Sequence, residues 1–302
     1  MIYTVTFNPA LDYVMHVEKM RTDDINRTTG EELLYGGKGI NVSVILTRLG
    51  VENRALGFTA GFTGRQLKEM LDADGIANDF VDLEKGFTRI NVKVKSDVSF
   101  DINALGPDIM PGDLQRLMDK LSALGPGDTL VLAGSIPPAL PEDTYEKIMA
   151  ALAGREVRFV VDTTGQSLLR ALNYKPFLIK PNHHELGDLF GVKVKTLEEI
   201  KTYAHRLQQM GARNVLVSRG KDGAALIAED GACYEAGIID RKPVNSVGCG
   251  DSMVAGFVAG WTQTGDYAEA LLLGAAAGNA TAFSIGLADK KGIEEACTLL
   301  KK

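Results

Sequence analysis

The chain has 302 residues, 45% of them hydrophobic and 24% charged, with a formal net charge of −6. That is enough apolar material for one large α/β domain or two small ones, and the acidic balance excludes an extended basic surface for nucleic acid. Three scattered cysteines, Cys233, Cys249 and Cys297, exclude a disulfide framework or a cysteine zinc site. The longest apolar runs, MVAGFVAGW and LLLGAAAG, fall short of the roughly 18 residues of a membrane span. MIYTVTFNPALD has no basic stretch followed by an apolar one, so no secretory signal is visible and a cytoplasmic protein is expected.

IYTVTFN reads as a first strand. DYVMHVEK alternates Tyr13, Met15 and Val17 against Val14, His16 and Glu18, which predicts a strand with two different faces. YGGKGINVS then resembles a phosphate loop without being one. Gly39 follows Lys38 where a Walker A motif needs serine or threonine, and no Gly-x-Gly-x-x-Gly follows the first strand. Either Gly36 and Gly37 let a ligand approach the backbone, with Lys38 and Asn41 beside it, or the segment is a plain turn into a buried helix. GINVSVILTRL is apolar nearly all round and predicts that buried helix.

TRINVKVK sets Ile90, Val92 and Val94 against Arg89, Asn91, Lys93 and Lys95, and VSFDIN alternates in the same way, with Ser96 and Asp97 as a hairpin turn. Together with 12–19 they predict a small sheet projecting from the main body. It is either a lid, with a polar face toward a ligand and an apolar face toward another subunit, or an ordinary edge hairpin lying on its own core. TLVLAG, RFVVD, FLIK and NVLVS are short apolar runs ending in polar or small residues, separated by amphipathic helices such as TLEEIKTYAHRLQQM. Such alternation predicts a mainly parallel sheet with helices on both sides, and ligands at the carboxyl ends of its strands.

In IKPNHHELGDLF, Asn182-x-x-Glu185 is a capping box at such a strand end. His183, His184 and Glu185 are adjacent on a helix and point apart, so they do not form a metal ligand set. Glu185 suits a magnesium ion held through water. VSRGKDGAAL predicts strand, turn, strand. Finally, SVGCGDSMVAG places Asp251 where a glycine-rich loop opens into a helix, because Val254, Phe257, Val258 and Trp261 recur at helical spacing. The unpaired amides and positive dipole end there suit an anion; an acid in the first turn of a core helix is the simpler alternative.

The order of these segments is more specific than any one of them. GGKGINVSVILTRLG near the start and SVGCGDSMVAGFVAG near the end resemble the two signatures of the ribokinase-like carbohydrate kinases, the phosphofructokinase B family. TRINVK, GSIPP, KPNHHE and SRGKDG fall between them where that family has related segments, so the resemblance covers essentially the whole chain. It implies a three-layer α/β sandwich with a mainly parallel central sheet plus a small β-sheet lid. The expected division is a core of 1–10, 31–86 and 104–302, with the lid formed by 11–30 and 87–103.

The resemblance also implies chemistry. Asp251 is then the general base, with the loop amides of Gly248, Cys249 and Gly250 as an anion hole. The helix dipole is expected to keep Asp251 ionised. Asp12, Gly37 and Asn41 would line a sugar pocket, with Lys38 and Arg89 as cations for a sugar's phosphate, aided by Ser135 and Arg27. Lys180, Asn182 and Glu185 would lie near the phosphates of ATP and a magnesium ion, Ser218, Gly220 and Gly223 near the nucleotide, and Asn279 at the adenine. The runs TFNPALDYVMHVE and TRINVKVKS are most similar to members that phosphorylate fructose 1-phosphate at its 6-hydroxyl. Tagatose 6-phosphate is the alternative acceptor, and a catalytically silent sugar-phosphate or nucleotide sensor is the alternative from another class. A homodimer through the lid is a habit of the family.

Two departures stand out. The common pattern has an aspartate and threonines where this chain has Asn245-Ser246-Val247, which puts a monovalent-cation site in doubt. Cys249 replaces an alanine; a helix N-terminus can lower a thiol pKa, so Cys249 is either redox-sensitive or a small filler.

Overall fold

The computed structural model describes residues 1–244 and 246–301; Asn245, and with it the departure at that position, lies outside them. In chain order, β1 (Ile2–Thr6) leads into β2 (Ala10–His16), β3 (Gly30–Gly36), α1 (Lys38–Arg48), β4 (Asn53–Ala60), α2 (Gly61–Ala73), β5 (Val81–Leu83), β6 (Arg89–Lys95) and β7 (Phe100–Ile102). Next come α3 (Pro111–Leu121), β8 (Thr129–Ala133), α4 (Thr144–Ala151), β9 (Arg158–Asp162), α5 (Gly165–Ala171), β10 (Leu178–Ile179), α6 (His183–Phe190) and α7 (Leu197–Gln209). The last are β11 (Asn214–Ser218), β12 (Ala224–Ile227), β13 (Cys233–Ala236), α8 (Cys249–Thr264), α9 (Tyr267–Ala282) and α10 (Lys290–Leu300).

Nine strands form one sheet in the order β13-β12-β11-β10-β9-β8-β1-β4-β5. Pairing is parallel from β5 to β11 and antiparallel for β11–β12 and β12–β13. The strands read as continuous apolar runs because both faces are covered. Leu130, Leu132, Phe159, Val161, Val215 and Val217 face a core shared with α3 to α7. Their neighbours Val131, Val160 and Leu216 face a second core shared with α1, α8, α9 and α10. At the carboxyl end of β11, the expected turn is a short 3₁₀ segment, Gly220–Asp222.

The second sheet has the order β3-β2-β6-β7. β2 pairs antiparallel with β3 and parallel with β6, and β6 pairs antiparallel with β7. The register puts Tyr13, Leu33, Val92 and Ile102 in one row, and Asp12, Leu34 and Asn91 in the next, on the opposite face. The two-faced sheet read from 12–19 and 89–103 is therefore present. The strand Gly30–Gly36 is an addition: its residues 31–36 were expected in the core. GEELLYG runs two acids and then two leucines in succession, so it carries no period-2 signal and only its pairing with β2 makes it a strand. Leu33, Phe100 and Ile102 leave the apolar face exposed, with Ile102 at 59%.

α1 starts against β1 with almost no space. A Cβ on Gly37, whose φ is +135°, would meet Thr6 Cγ2 at 2.6 Å, and one on Gly39 would meet the carbonyl oxygen of Val5 at 2.7 Å. Thr6 Oγ1 in turn accepts the amide of Ile40 at 3.0 Å. The glycines of YGGKG thus serve helix–sheet packing first. Small residues do the same between α8 and α9, where Gly256, Gly260 and Gly274 each lie against the backbone of the facing helix.

Candidate active site

Asp251 stands in the first turn of α8, only 7% exposed. The N-cap is Gly248, whose φ of +80° favours glycine, and a Cβ there would also have to displace the end of the Leu287 side chain, 2.5 Å away. The amide of Ser252 closes the first helical bond onto the carbonyl of Gly248. The amides before it, in Cys249, Gly250 and Asp251, are those a helix does not satisfy internally. Across the site, Asn41 on α1 donates from Nδ2 to Asp251 Oδ2 at 2.7 Å.

Two lysines complete this floor, and one carboxylate links them. Asp162, at the carboxyl end of β9 and 3% exposed, has Lys180 Nζ at 3.3 Å from Oδ1 and Lys38 Nζ at 3.6 Å from Oδ2. Lys180 is itself buried. Burial works against its charge, but Asp162, Asp251 and Glu185 together hold its pKa above the ordinary lysine value. Burial and the nearby Asp162 push Asp251 the other way from the helix-dipole expectation, up to about 6, against the opposing pull of Asn41, Lys38 and Lys180. Even so raised, Asp251 remains mostly ionised at neutral pH. The Cys249 thiol is also raised, to about 11, by burial and by Asp251. This is the reverse of an activated thiol.

The polar face of the small sheet supplies the next group. Asp12 accepts from Asn91 Nδ2 at 2.8 Å and has Lys93 Nζ at 3.4 Å. Gly36 leaves it room, since a Cβ there would sit 3.2 Å from its carboxylate. Arg89 leads the same face. Burial pulls its pKa down while Asp12 holds it up, and its Nε is buried with no hydrogen-bond partner among the described residues. Its Nη1 reaches only the carbonyl of Ala104, at 3.3 Å. A half-buried guanidinium whose buried Nε lacks a partner among the described residues suits an incoming anion.

On the other side of Lys180, Asn182 caps α6, accepting from the amides of His184 and Glu185 at 2.8 Å each. Glu185 Oε2 accepts the amide of Asn182 at 2.8 Å. With Oε2 so engaged, Glu185 fits a magnesium ion held through water better than a direct ligand cage. Among the described residues no group of three or more His, Cys, Asp or Glu side chains could enclose a metal. Ser218 lies beside Asn182 through an isolated parallel bridge, and its amide bonds Pro181. Gly220 and Gly223 form the turn that follows, both with positive φ.

The structure therefore brings together Gly37, Lys38, Asn41, Lys180, Gly248, Cys249, Gly250 and Asp251, with Asp12 and Arg89 on one flank and Asn182, Glu185 and Ser218 on the other. Ser135 is exposed just after Gly134, whose open side faces the Lys38 side chain at 3.8 Å. Arg27 is not joined to the group: it is exposed between β2 and β3, with no hydrogen bond or ion pair among the described residues. Asn279 spends its amide on structure, accepting from the amide of Ile239 at 2.9 Å and donating to the carbonyl of Ala275 at 2.8 Å. Asp162 was missed, although RFVVD ends in an acid at the carboxyl end of an apolar strand. Asn91 and Lys93 were visible only as polar members of an alternating strand.

Known proteins resemble this chain over nearly its full length. The model of the pfkB family carbohydrate kinases matches residues 5–292. The 1-phosphofructokinase of Bacillus subtilis is 45% identical over 295 residues, covering 98% of this chain and 97% of its own. The D-tagatose-1-phosphate kinase of Bacillus licheniformis is 38% identical over 302 residues, covering 100% and 99%. The structure of Escherichia coli phosphofructokinase-2 in complex with substrates and products matches with a TM-score of 0.93 at 26% identity, over 100% of this chain and 99% of that one.

Proposed function

The chain belongs to the pfkB family of carbohydrate kinases, and from that premise we propose that it transfers the terminal phosphoryl group of ATP to the 6-hydroxyl of fructose 1-phosphate, giving fructose 1,6-bisphosphate. The observation that carries this reading is the buried carboxylate of Asp251 in the first turn of α8, oriented by Asn41 and flanked by Lys38 and Lys180.

Asp251 accepts the proton of the attacking hydroxyl. An alkyl alcohol is a poor acid, so the proton moves late, and alignment of the reacting groups supplies much of the rate. The amides of Gly248, Cys249 and Gly250 stabilise the charge on the group in transfer. Lys38 and Arg89 take the phosphate the sugar already carries, with Ser135 at its margin; Arg27, which stands apart from this group, has no part in it. Asp12, Gly37 and Asn41 hold the sugar, and Asp12 stays fixed by Asn91 and Lys93 so that its acceptor geometry is set in advance. Lys180, Asn182 and Glu185 face the ATP phosphates. A magnesium ion at Glu185 would neutralise phosphate charge. Ser218, Gly220 and Gly223 border the nucleotide, and Asn279 supports its wall by holding the loop at Ile239.

The small sheet serves as the lid over the sugar, and its exposed Leu33, Phe100 and Ile102 form a homodimer contact. A cytoplasmic location accords with the absence, among the described residues, of any helix long and apolar enough to cross a membrane.

The competing acceptor is a tagatose phosphate. The relative that carries this alternative is named for the 1-phosphate, not the 6-phosphate expected from sequence. Tagatose 1-phosphate differs from fructose 1-phosphate only in configuration at carbon 4. ADP release with magnesium-ATP and each of fructose 1-phosphate, tagatose 1-phosphate, tagatose 6-phosphate and fructose 6-phosphate tests the reading. Preference for fructose 1-phosphate in kcat/KM, lost in Asp251→Asn, supports it. Preference for a tagatose phosphate overturns the acceptor while keeping the mechanism. Tight binding without turnover supports the sensor.

A further inference from the structure

Asp162 has no role in the mechanism above, yet it is the most buried charged group of the site, 3% exposed against 7% for both Asp251 and Lys180. It ends β9 at the centre of the sheet, where its own carbonyl accepts the amide of Gly134. Tyr145 of α4 packs beneath, tied to the carbonyl of Gly134 at 3.0 Å. The carboxylate therefore has little freedom. Its two oxygens point to different ligand regions: Oδ1 to Lys180 on the nucleotide side at 3.3 Å, Oδ2 to Lys38 on the sugar side at 3.6 Å. Oδ2 accepts no hydrogen bond among the described residues, and the Lys38 ammonium stands 3.6 Å from it.

We propose that Asp162 is a positioning residue, a single buried anion that holds the ammonium groups of Lys38 and Lys180 at a fixed separation, one for the phosphate of each substrate. The proposal rests on the kinase reading for the identity of those phosphates, and on the geometry alone for the tether. A lysine is a flexible stem, and ordering it costs entropy that a ligand must otherwise offset. One rigid carboxylate between two such stems removes that cost before either substrate arrives. It also places a second negative charge beside Asp251. The charged groups around Asp251 are Asp162 from β9, Lys38 from α1 and Lys180 after β10, with Glu185 of α6 facing Lys180 from beyond and Cys249 on the same helix.

Asp162→Asn keeps the shape and removes the charge. In the folded variant, confirmed by circular dichroism and melting temperature, KM for fructose 1-phosphate and for ATP should both rise by about tenfold or more, as a charge-assisted contact is lost on each side. The acid limb of the kcat/KM profile should move down by about one pH unit, because Asp251 loses a like charge while both lysines remain. A purely structural residue would not shift that limb. Acylation of amines in the ligand-free protein, read by mass spectrometry, adds a measurement independent of turnover: Lys38 should label several-fold faster in the variant, and the distant, exposed Lys291 at the wild-type rate.

Wild-type labelling and wild-type KM values in the folded variant would overturn the proposal. If the wild-type enzyme phosphorylates no sugar phosphate, the kinase reading fails, and the labelling still decides the tether. If Asp162→Asn does not fold, Asp162→Glu decides. It should keep the acid limb and raise both KM values by displacing the lysines, and unchanged KM values there would refute the fixed separation.

Discussion

Asn41 donates a 2.7 Å hydrogen bond to Asp251, joining the first turn of α1 to the first turn of α8 across 210 residues of chain. The two signature segments of the sequence therefore meet through one side-chain contact. This bond favours the ionised carboxylate and holds it in one orientation, so Asn41 acts on the base as well as on the sugar pocket.

Removing that bond should raise the Asp251 pKa further. For Asn41→Ala, the acid limb of kcat/KM should move to higher pH, and kcat at pH 8 should fall by about 10- to 100-fold from lost orientation. A pH–rate series on wild type and variant checks both; an unmoved limb would show that Asn41 serves the sugar alone.

Asp251 itself should carry a stability cost. Its folded pKa, about 6, lies above the 3.8 of an ordinary aspartate, so the fold takes up a proton more readily than the unfolded chain. The cost is full above about pH 6 and disappears as pH falls toward 4. Asp251→Asn should therefore be more stable than wild type at pH 8, by up to about 3 kcal/mol, and the gap should close by pH 4. Denaturant melts at both values measure it. The same substitution should lower kcat by about 10²- to 10⁴-fold as a lost general base, so stability and activity move in opposite directions.

Cys249 should be a slow thiol. With its pKa at about 11, very little thiolate exists at pH 7, and iodoacetamide should modify it well below the rate of an unperturbed cysteine. Timed alkylation followed by peptide mass spectrometry tests this, and rapid modification would revive the redox-sensor alternative.

The exposed face of the small sheet should hold two copies together. Ile102→Glu places a charge in the row shared with Tyr13, Leu33 and Val92. Sedimentation should show a dimer for wild type and a monomer for the variant. A wild-type chain that sediments as a monomer with full activity would refute the lid contact.

Local pattern determined much of this protein by itself. Apolar runs buried on both faces fixed the parallel strands β8, β9 and β11, alternation marked β2, β6 and β7, and glycines followed by helical spacing located Asp251, because each signal lies within a few residues. Three matters were decided only by the tertiary structure. β3 owes its existence to pairing with β2, since GEELLYG has no alternation of its own. The protonation of Asp251 turned on burial and on Asp162, and that of Cys249 on burial and on Asp251, none of which local sequence shows. Asp162 emerged as the link between Lys38 and Lys180 only when strands β9 and β10 and helix α1 converged, because electrostatic neighbours are set by distance in space and not by spacing along the chain.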